Sequence, residues 1–101
     1  MSDATLTPSG DGRWVLGGTL DFSSVPQVWP SLARLFDNAD PVTLSLADVS
    51  RANSAGLVLL VEARGLARQG KRTLKLVDVP AELRDLASMS RCEELISEDG
   101  A

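Results

Sequence analysis

The stretch Asp48-Val-Ser-Arg-Ala-Asn-Ser-Ala-Gly-Leu-Val-Leu-Leu60 gathers the groups best placed to meet another molecule. It follows an alternating strand and leads into a helix. Either Asn53 or Ser54 can act as N-cap, because a short side-chain oxygen accepts from a free N–H of the first helical turn. Ala55 and Gly56 add little bulk. The sequence therefore predicts a hydroxyl beside unpaired N–H groups with little to cover it, a place that attracts an anion or a partner chain. Nucleophilic catalysis by Ser54 lacks a base, since the chain has no histidine and no lysine close by in sequence. The same absence excludes histidine-based triads. With one cysteine, Cys92, intramolecular disulfides and His- or Cys-cluster zinc sites are excluded as well. Cys92 reads as a small core residue. Gly17-Gly18 falls inside a strand and Gly56 has no P-loop lysine after it, so no phosphate loop is present. Asp21, Asp48 and Asp78 stand at scattered strand ends, while Glu93-Glu94 and Glu98-Asp99 read as a solvated acidic end. The residues point to a contact or modification site rather than an active site, with no cofactor and no metal.

The order Ala52-Asn53-Ser54-Ala55-Gly56-Leu57 resembles the signature of STAS domains (sulphate transporter and anti-sigma factor antagonist). That signature is a hydrophobic residue, Asp, Ser or Thr, a small residue, Gly and Leu, after a strand and opening a helix. Asn53 stands where the acidic residue is usual. The resemblance runs from about Trp14 to Ile96. Further points are similar to the small cytoplasmic STAS subunit of the bacterial Mla phospholipid-transport system. They are the Ser-Ala-Gly-Leu-Val-Leu-Leu run followed by Glu62 and Arg64, the helix opening Pro80-Ala-Glu-Leu, the ending Leu86-Ala-Ser-Met-Ser-Arg-Cys-Glu-Glu-Leu-Ile96, and the tryptophan of the first helix. This resemblance implies a non-catalytic protein that binds the ATPase subunit of an ABC transporter, with its membrane permease, and supports its assembly and activity in maintaining outer-membrane lipid asymmetry. It implies no bound lipid. The alternative within the resemblance is an anti-sigma factor antagonist, whose kinase-like partner phosphorylates the residue matching Ser54.

The expected partner-contact residues are Asn53, Ser54, Ala55, Gly56, Leu57, Val58 and Trp29. Leu57-Val-Leu-Leu-Val61 is apolar all round, so either neighbouring helices bury it or part of it forms an exposed patch beside Ser54. Trp29 is either core or an interface anchor.

The elements that must position these residues follow from periodicity. Thr5-Leu-Thr-Pro8 reads as a short edge strand ended by Pro8, and Ser9-Gly-Asp-Gly12 as a turn. Trp14–Leu20 reads as a strand. Val25, Val28, Trp29, Leu32, Leu35 and Phe36 predict a helix over 25–38, with a kink or broken first turn at Pro30. Val42, Leu44 and Leu46 alternate with Thr43 and Ser45 in a strand over 42–46. A helix over 54–69 has Gly70 at its C-cap and Arg64, Arg68 and Lys71 near its negative end. A strand over 73–78 is followed by a helix over 80–90 with Pro80 at its first position, and residues 91–96 add a short helical turn. The order β-β-α-β-α-β-α gives an α/β single domain over 1–101, with its core over 5–96 and loose ends at 1–4 and 97–101. Sequential strands with right-handed crossovers place all helices on one face. The expectation is a mixed, mostly parallel sheet of about four strands with one wetter face, carrying Thr43, Ser45 and Lys75. STAS domains share this architecture.

Composition sets the remaining bounds. The length suits one modest core. The net charge of −4 with two lysines argues against nucleic acid as the main partner. No apolar run approaches the ~20 residues of a spanning helix, and the first residues lack a leader pattern. The reading is a soluble cytoplasmic protein, held at the inner membrane only through its partner.

Overall fold

The structure, a computed structural model, describes residues 3–97. The chain forms β1 (Thr5–Gly10), β2 (Arg13–Leu20), α1 (Val25–Asn38), β3 (Val42–Ala52), α2 (Ser54–Gln69), β4 (Leu74–Val77), α3 (Ala81–Met89) and a closing 3-10 turn, Glu93–Ile96. The four strands lie in sequence order, β1-β2-β3-β4, in one sheet. β1 runs antiparallel to β2, whereas the β2–β3 and β3–β4 pairs are parallel. This is the α/β order and mixed sheet that the periodicities predict.

Alternation along the strands decides which face the helices cover. Leu16, Leu20, Val42, Leu44, Leu46, Leu74 and Leu76 are all buried, and from the other side Leu32, Leu60, Ala63 and Leu83 meet them. Each fully buried leucine contributes about 1.5–3 kcal/mol relative to exposure. On the opposite face Thr43 and Ser45 are half-buried and Lys75 is exposed. α2 is the central helix, packed between α1 and α3. It accordingly buries Ala55, Gly56, Leu57, Leu59, Leu60, Ala63, Arg64 and Ala67.

Several boundaries differ from the sequence reading. β1 does not stop at Pro8: it continues to Gly10, with Pro8 opposite Trp14 and a register slip between Pro8 and Gly10. An edge strand tolerates proline because its outward side needs no ladder donor. β3 runs six residues beyond Leu46, through the polar segment ahead of α2 where the sequence predicts no strand. Polarity there reflects exposure. β4 ends opposite Ser45, so the rest of β3 has only β2 as a neighbour. α1 is one continuous helix through Pro30. The N–H that Pro30 lacks would have bonded the carbonyl of Pro26, an exposed first-turn residue that water can reach. Pro80 is the N-cap of α3 rather than its first residue.

Asp3 and Ala4 lie directly over Gly18, whose φ is +84°. A Cβ at Gly18 would collide with the Asp3 carbonyl. Expected loose, these two residues pass across β2. Residues 1–2 and 98–101 lie outside the described residues.

Two helices end alike. After α2, the Lys71 N–H donates to the Arg68 carbonyl (3.1 Å) and the Arg72 N–H to the Ala67 carbonyl (2.7 Å). After α3, Arg91 donates to Ser88 (3.2 Å) and Cys92 to Ala87 (2.9 Å). These are Schellman pairs, and the left-handed residue is Lys71 (φ 57°) or Arg91 (φ 55°). Gly70 is the C-cap of α2, as expected, at φ −88°, and the left-handed residue is the one after it.

Candidate partner-docking site

Asn53, not Ser54, caps α2. Its Oδ1 accepts from the Ala55 N–H at 2.8 Å, and its own N–H donates to the Leu20 carbonyl at 3.1 Å. Ser54 is the first helical residue, exposed, and its side chain makes no hydrogen bond among the described residues. Ala55, Gly56 and Leu57 turn inward. A Cβ on Gly56 would come within 3.0 Å of Leu20 Cβ and 3.3 Å of Ala52 Cβ. The small residues are therefore small because the helix start presses on the sheet, and not because they leave a surface open. Of the expected contact residues, Asn53, Ser54 and Val58 face solvent, Trp29 is half-buried, and Ala55, Gly56 and Leu57 belong to the interior.

The apolar run Leu57–Val61 resolves in the same way. Leu57, Leu59 and Leu60 are buried, Val61 is partly so, and Val58 alone stands out at 55% exposure. Ser54, Val58, Glu62, Gly65 and Gln69 follow spacings of four, four, three and four along α2 and form its exposed stripe. Trp29 of α1 runs beside that stripe. It lines two clefts, one with Val25, Pro26, Val58 and Glu62, the other with Glu62, Gly65, Leu66 and Gln69. The tryptophan thus has one side in the core and the other in the furrow between α1 and α2.

The turn before α1 lies next to the turn before α2, because Leu20 pairs with Ala52 at the ends of β2 and β3. Asp21 and Ser24 cap each other there. Asp21 Oδ1 accepts from the Ser24 N–H, and Ser24 Oγ accepts from the Asp21 N–H, both at 2.9 Å. These reciprocal bonds close a box-like turn just ahead of α1, whose N-cap is Ser24. Ser24 Oγ also donates to the Thr19 carbonyl at 2.6 Å. The Ser24 N–H, and then the Ser23 hydroxyl and N–H, hold the Asp21 carboxyl below its ordinary pKa. Phe22, inside this box, is 73% exposed. By composition alone, Asp21-Phe-Ser-Ser24 reads only as a turn that leads the chain into a helix. An aromatic residue between a strand end and a helix start, outside either period, was the signal for it.

A sequence profile described as "Mlab, STAS domain" matches residues 7–97. The chain belongs to this STAS domain family. No curated protein matches it. Among solved structures, this STAS domain is similar to the anti-sigma factor antagonist SpoIIAA in its unphosphorylated form. The TM-score is 0.70 at 14% identity, over 93% of this chain and 85% of that one. That likeness establishes the STAS fold.

Within the STAS domain the described residues hold no cluster of three or more His, Cys, Asp or Glu able to bind a metal ion. No described helix is long and apolar enough to cross a membrane. Arg64, which the sequence reading placed among charges near the negative end of α2, points inward instead and is 2% exposed. Its guanidinium donates to the carbonyls of Leu74 (2.6 Å), Leu95 (3.0 Å) and Ser97 (3.2 Å). It thus ties the closing turn and the start of β4 to the central helix. Glu82, in the first turn of α3, accepts from the Ala52 N–H at 3.3 Å and holds α3 to the end of β3.

Proposed function

We propose that this STAS domain is a non-catalytic subunit that docks on the ATPase of an Mla-type ABC phospholipid transporter. Binding there would support the transporter's assembly and activity, and with them outer-membrane lipid asymmetry. The observation that carries the reading is the family match over residues 7–97. Its location would be cytoplasmic, at the inner membrane through that partner and its permease. The docking surface is the exposed head of α2, at Asn53, Ser54 and Val58, with Trp29 beside it. Ala55, Gly56 and Leu57 shape this surface from beneath.

A second reading is that of an anti-sigma factor antagonist switched by phosphorylation of Ser54. It is favoured by one feature: the Ser54 hydroxyl is exposed and makes no hydrogen bond among the described residues. A phosphate there would add about −1.5 to −2 charge to a contact surface.

Purification of the tagged protein from its own cell separates the two. Recovery of an ATPase and a permease supports the transporter reading. Recovery of a kinase-like anti-sigma factor, or of phosphorylated Ser54 by mass spectrometry, selects the other. Folded Ser54→Ala, Ser54→Asp and Ser54→Arg should recover progressively less ATPase in that order. Alanine fits under the same partner, whereas a charge in a closed interface must be desolvated. A folded Ser54→Arg variant that recovers as much ATPase as the parent refutes docking at this turn.

A further inference from the structure

Glu62 is out of keeping with its surroundings. It lines both clefts beside Trp29, between Val58 and Pro26 at one and Gly65 and Leu66 at the other. A surface glutamate on a helix commonly pairs with a basic residue three or four positions away. Here those positions are Val58, Leu59, Gly65 and Leu66. Among the described residues Glu62 makes neither an ion pair nor a side-chain hydrogen bond.

Gly65 is anomalous in a different way. Glycine weakens a helix interior relative to alanine. At Gly56 the sheet demands it, but a Cβ at Gly65 would meet nothing within 4 Å. No packing inside the domain requires a glycine there, yet it forms the wall of the cleft next to Trp29 and Glu62. The furrow therefore offers an aromatic ring, an unpaired carboxylate and a stretch of bare helix backbone in one place.

We propose that this furrow receives one arginine side chain of the docking protein. Its guanidinium lies against the Trp29 indole and pairs with Glu62, while the partner backbone that carries it passes close over Gly65. Arginine fits better than lysine because its planar, weakly hydrated head can stack on an indole and offer hydrogen bonds to a carboxylate at the same time. A neutral apolar side chain would bury Glu62 without a counter-charge, which is costly. This inference rests on the docking reading above and names the partner chemistry it requires.

Affinity for the ATPase recovered with the protein tests the assignment. Glu62→Gln should weaken binding about ten- to a hundred-fold, the range expected for a hydrogen bond to a charged group, and should flatten its dependence on salt. Gly65→Ala should raise the melting temperature of the free domain and yet weaken binding, which separates docking from folding. Parental affinity in folded Glu62→Gln overturns the proposal. So does self-association of the free protein that Glu62→Gln abolishes, since the occupant would then be a second copy of this chain. A second measurement needs no partner. The Trp29 indole N–H resonance, followed by NMR, should shift with N-acetyl-arginine amide more than with the neutral isostere N-acetyl-citrulline amide, and Glu62→Gln should remove the difference. An equal response to the two, or none to either, overturns the proposal. Should no ATPase be recovered, the docking reading fails, and the titration still decides whether the furrow selects a guanidinium.

Discussion

Replacing Arg64 with methionine sets two large effects against each other. The guanidinium is 2% exposed, so its removal relieves the cost of keeping a charge from water. The acceptors at Leu74, Leu95 and Ser97, however, are backbone carbonyls and remain after the substitution. The bond to Leu74 is fully buried, and those to Leu95 and Ser97 are partly so. An orphaned buried acceptor costs about 1–3 kcal/mol, and each partly wetted bond about 0.5–1.5 kcal/mol. The gross loss is thus about 2–6 kcal/mol, which the relieved desolvation reduces. A net loss of about 3 kcal/mol is expected, because removing one side of a buried polar contact generally destabilises even where replacing both sides would not. In a domain of this size that lowers the melting temperature by about 12–24 °C, at about 4–8 °C per kcal/mol. Arg64→Lys keeps the charge but not the fork, and should lose about half as much, because one ammonium cannot reach three carbonyls set in different directions. Urea unfolding followed by tryptophan fluorescence measures both variants, with an unchanged slope certifying a like-for-like comparison. If Arg64→Met comes within about 1 kcal/mol of the parent, desolvation cancels these bonds, and Arg64 does not hold the closing turn.

Three further outcomes are expected. Asn53→Ala should cost about 1 kcal/mol of stability and Ser54→Ala no more than a few tenths, since only Asn53 caps α2; chemical denaturation of the pair checks it, and equal losses would refute the cap assignment. Lys71→Gly and Arg91→Gly should each stabilise the domain by about 0.5–1 kcal/mol, because both residues occupy the left-handed region that glycine enters without penalty; a lowered melting temperature in either variant would contradict this. Asp21 has a folded pKa depressed below its ordinary value, so its contribution is fully present above the unfolded pKa and is lost as pH falls through the folded one. Asp21→Asn should flatten the acid side of the stability–pH curve below about pH 4, read by thermal melts across that range, and an unaltered acid limb would show that the box around Asp21 does not feed into stability.

The sequence carried most of the fold because its periods were clean. The 25–38 and 54–69 helices emerge at those bounds, and Val42, Leu44 and Leu46 do face the helices. What it hid were the places where polarity and burial part company. The segment from Ala47 to Ala52 looks like a turn by composition, yet it is strand because β2 continues beside it. Arg64 looks like a surface charge, yet its fork meets carbonyls from two segments that only the folded chain brings together. At the candidate site, Ser54, Val58 and Trp29 could be singled out from their types, and the structure leaves the first two exposed and the third half-buried. Asn53 and Ser54 could not be separated as caps, since both side chains suit the role. The inward turn of Ala55, Gly56 and Leu57 depends on how closely α2 meets Leu20 and Ala52, a distance that no local pattern encodes.

The margins of the sheet constrain how anything can attach to this domain. Along β1, Pro8 offers no amide, and the slip beside it breaks the regular spacing that an added strand would need. The far margin, β4, is only four residues long and carries the exposed Lys75. Where β3 overhangs it, the amides of Ala47 and Ala52 are already bonded to Ser45 and Glu82. Cross-chain strand addition, the sequence-blind route by which sheets join one another or grow into fibrils, thus finds little purchase. Recognition has to go through side chains, and a side-chain surface can be retuned one substitution at a time without opening the domain to indiscriminate association.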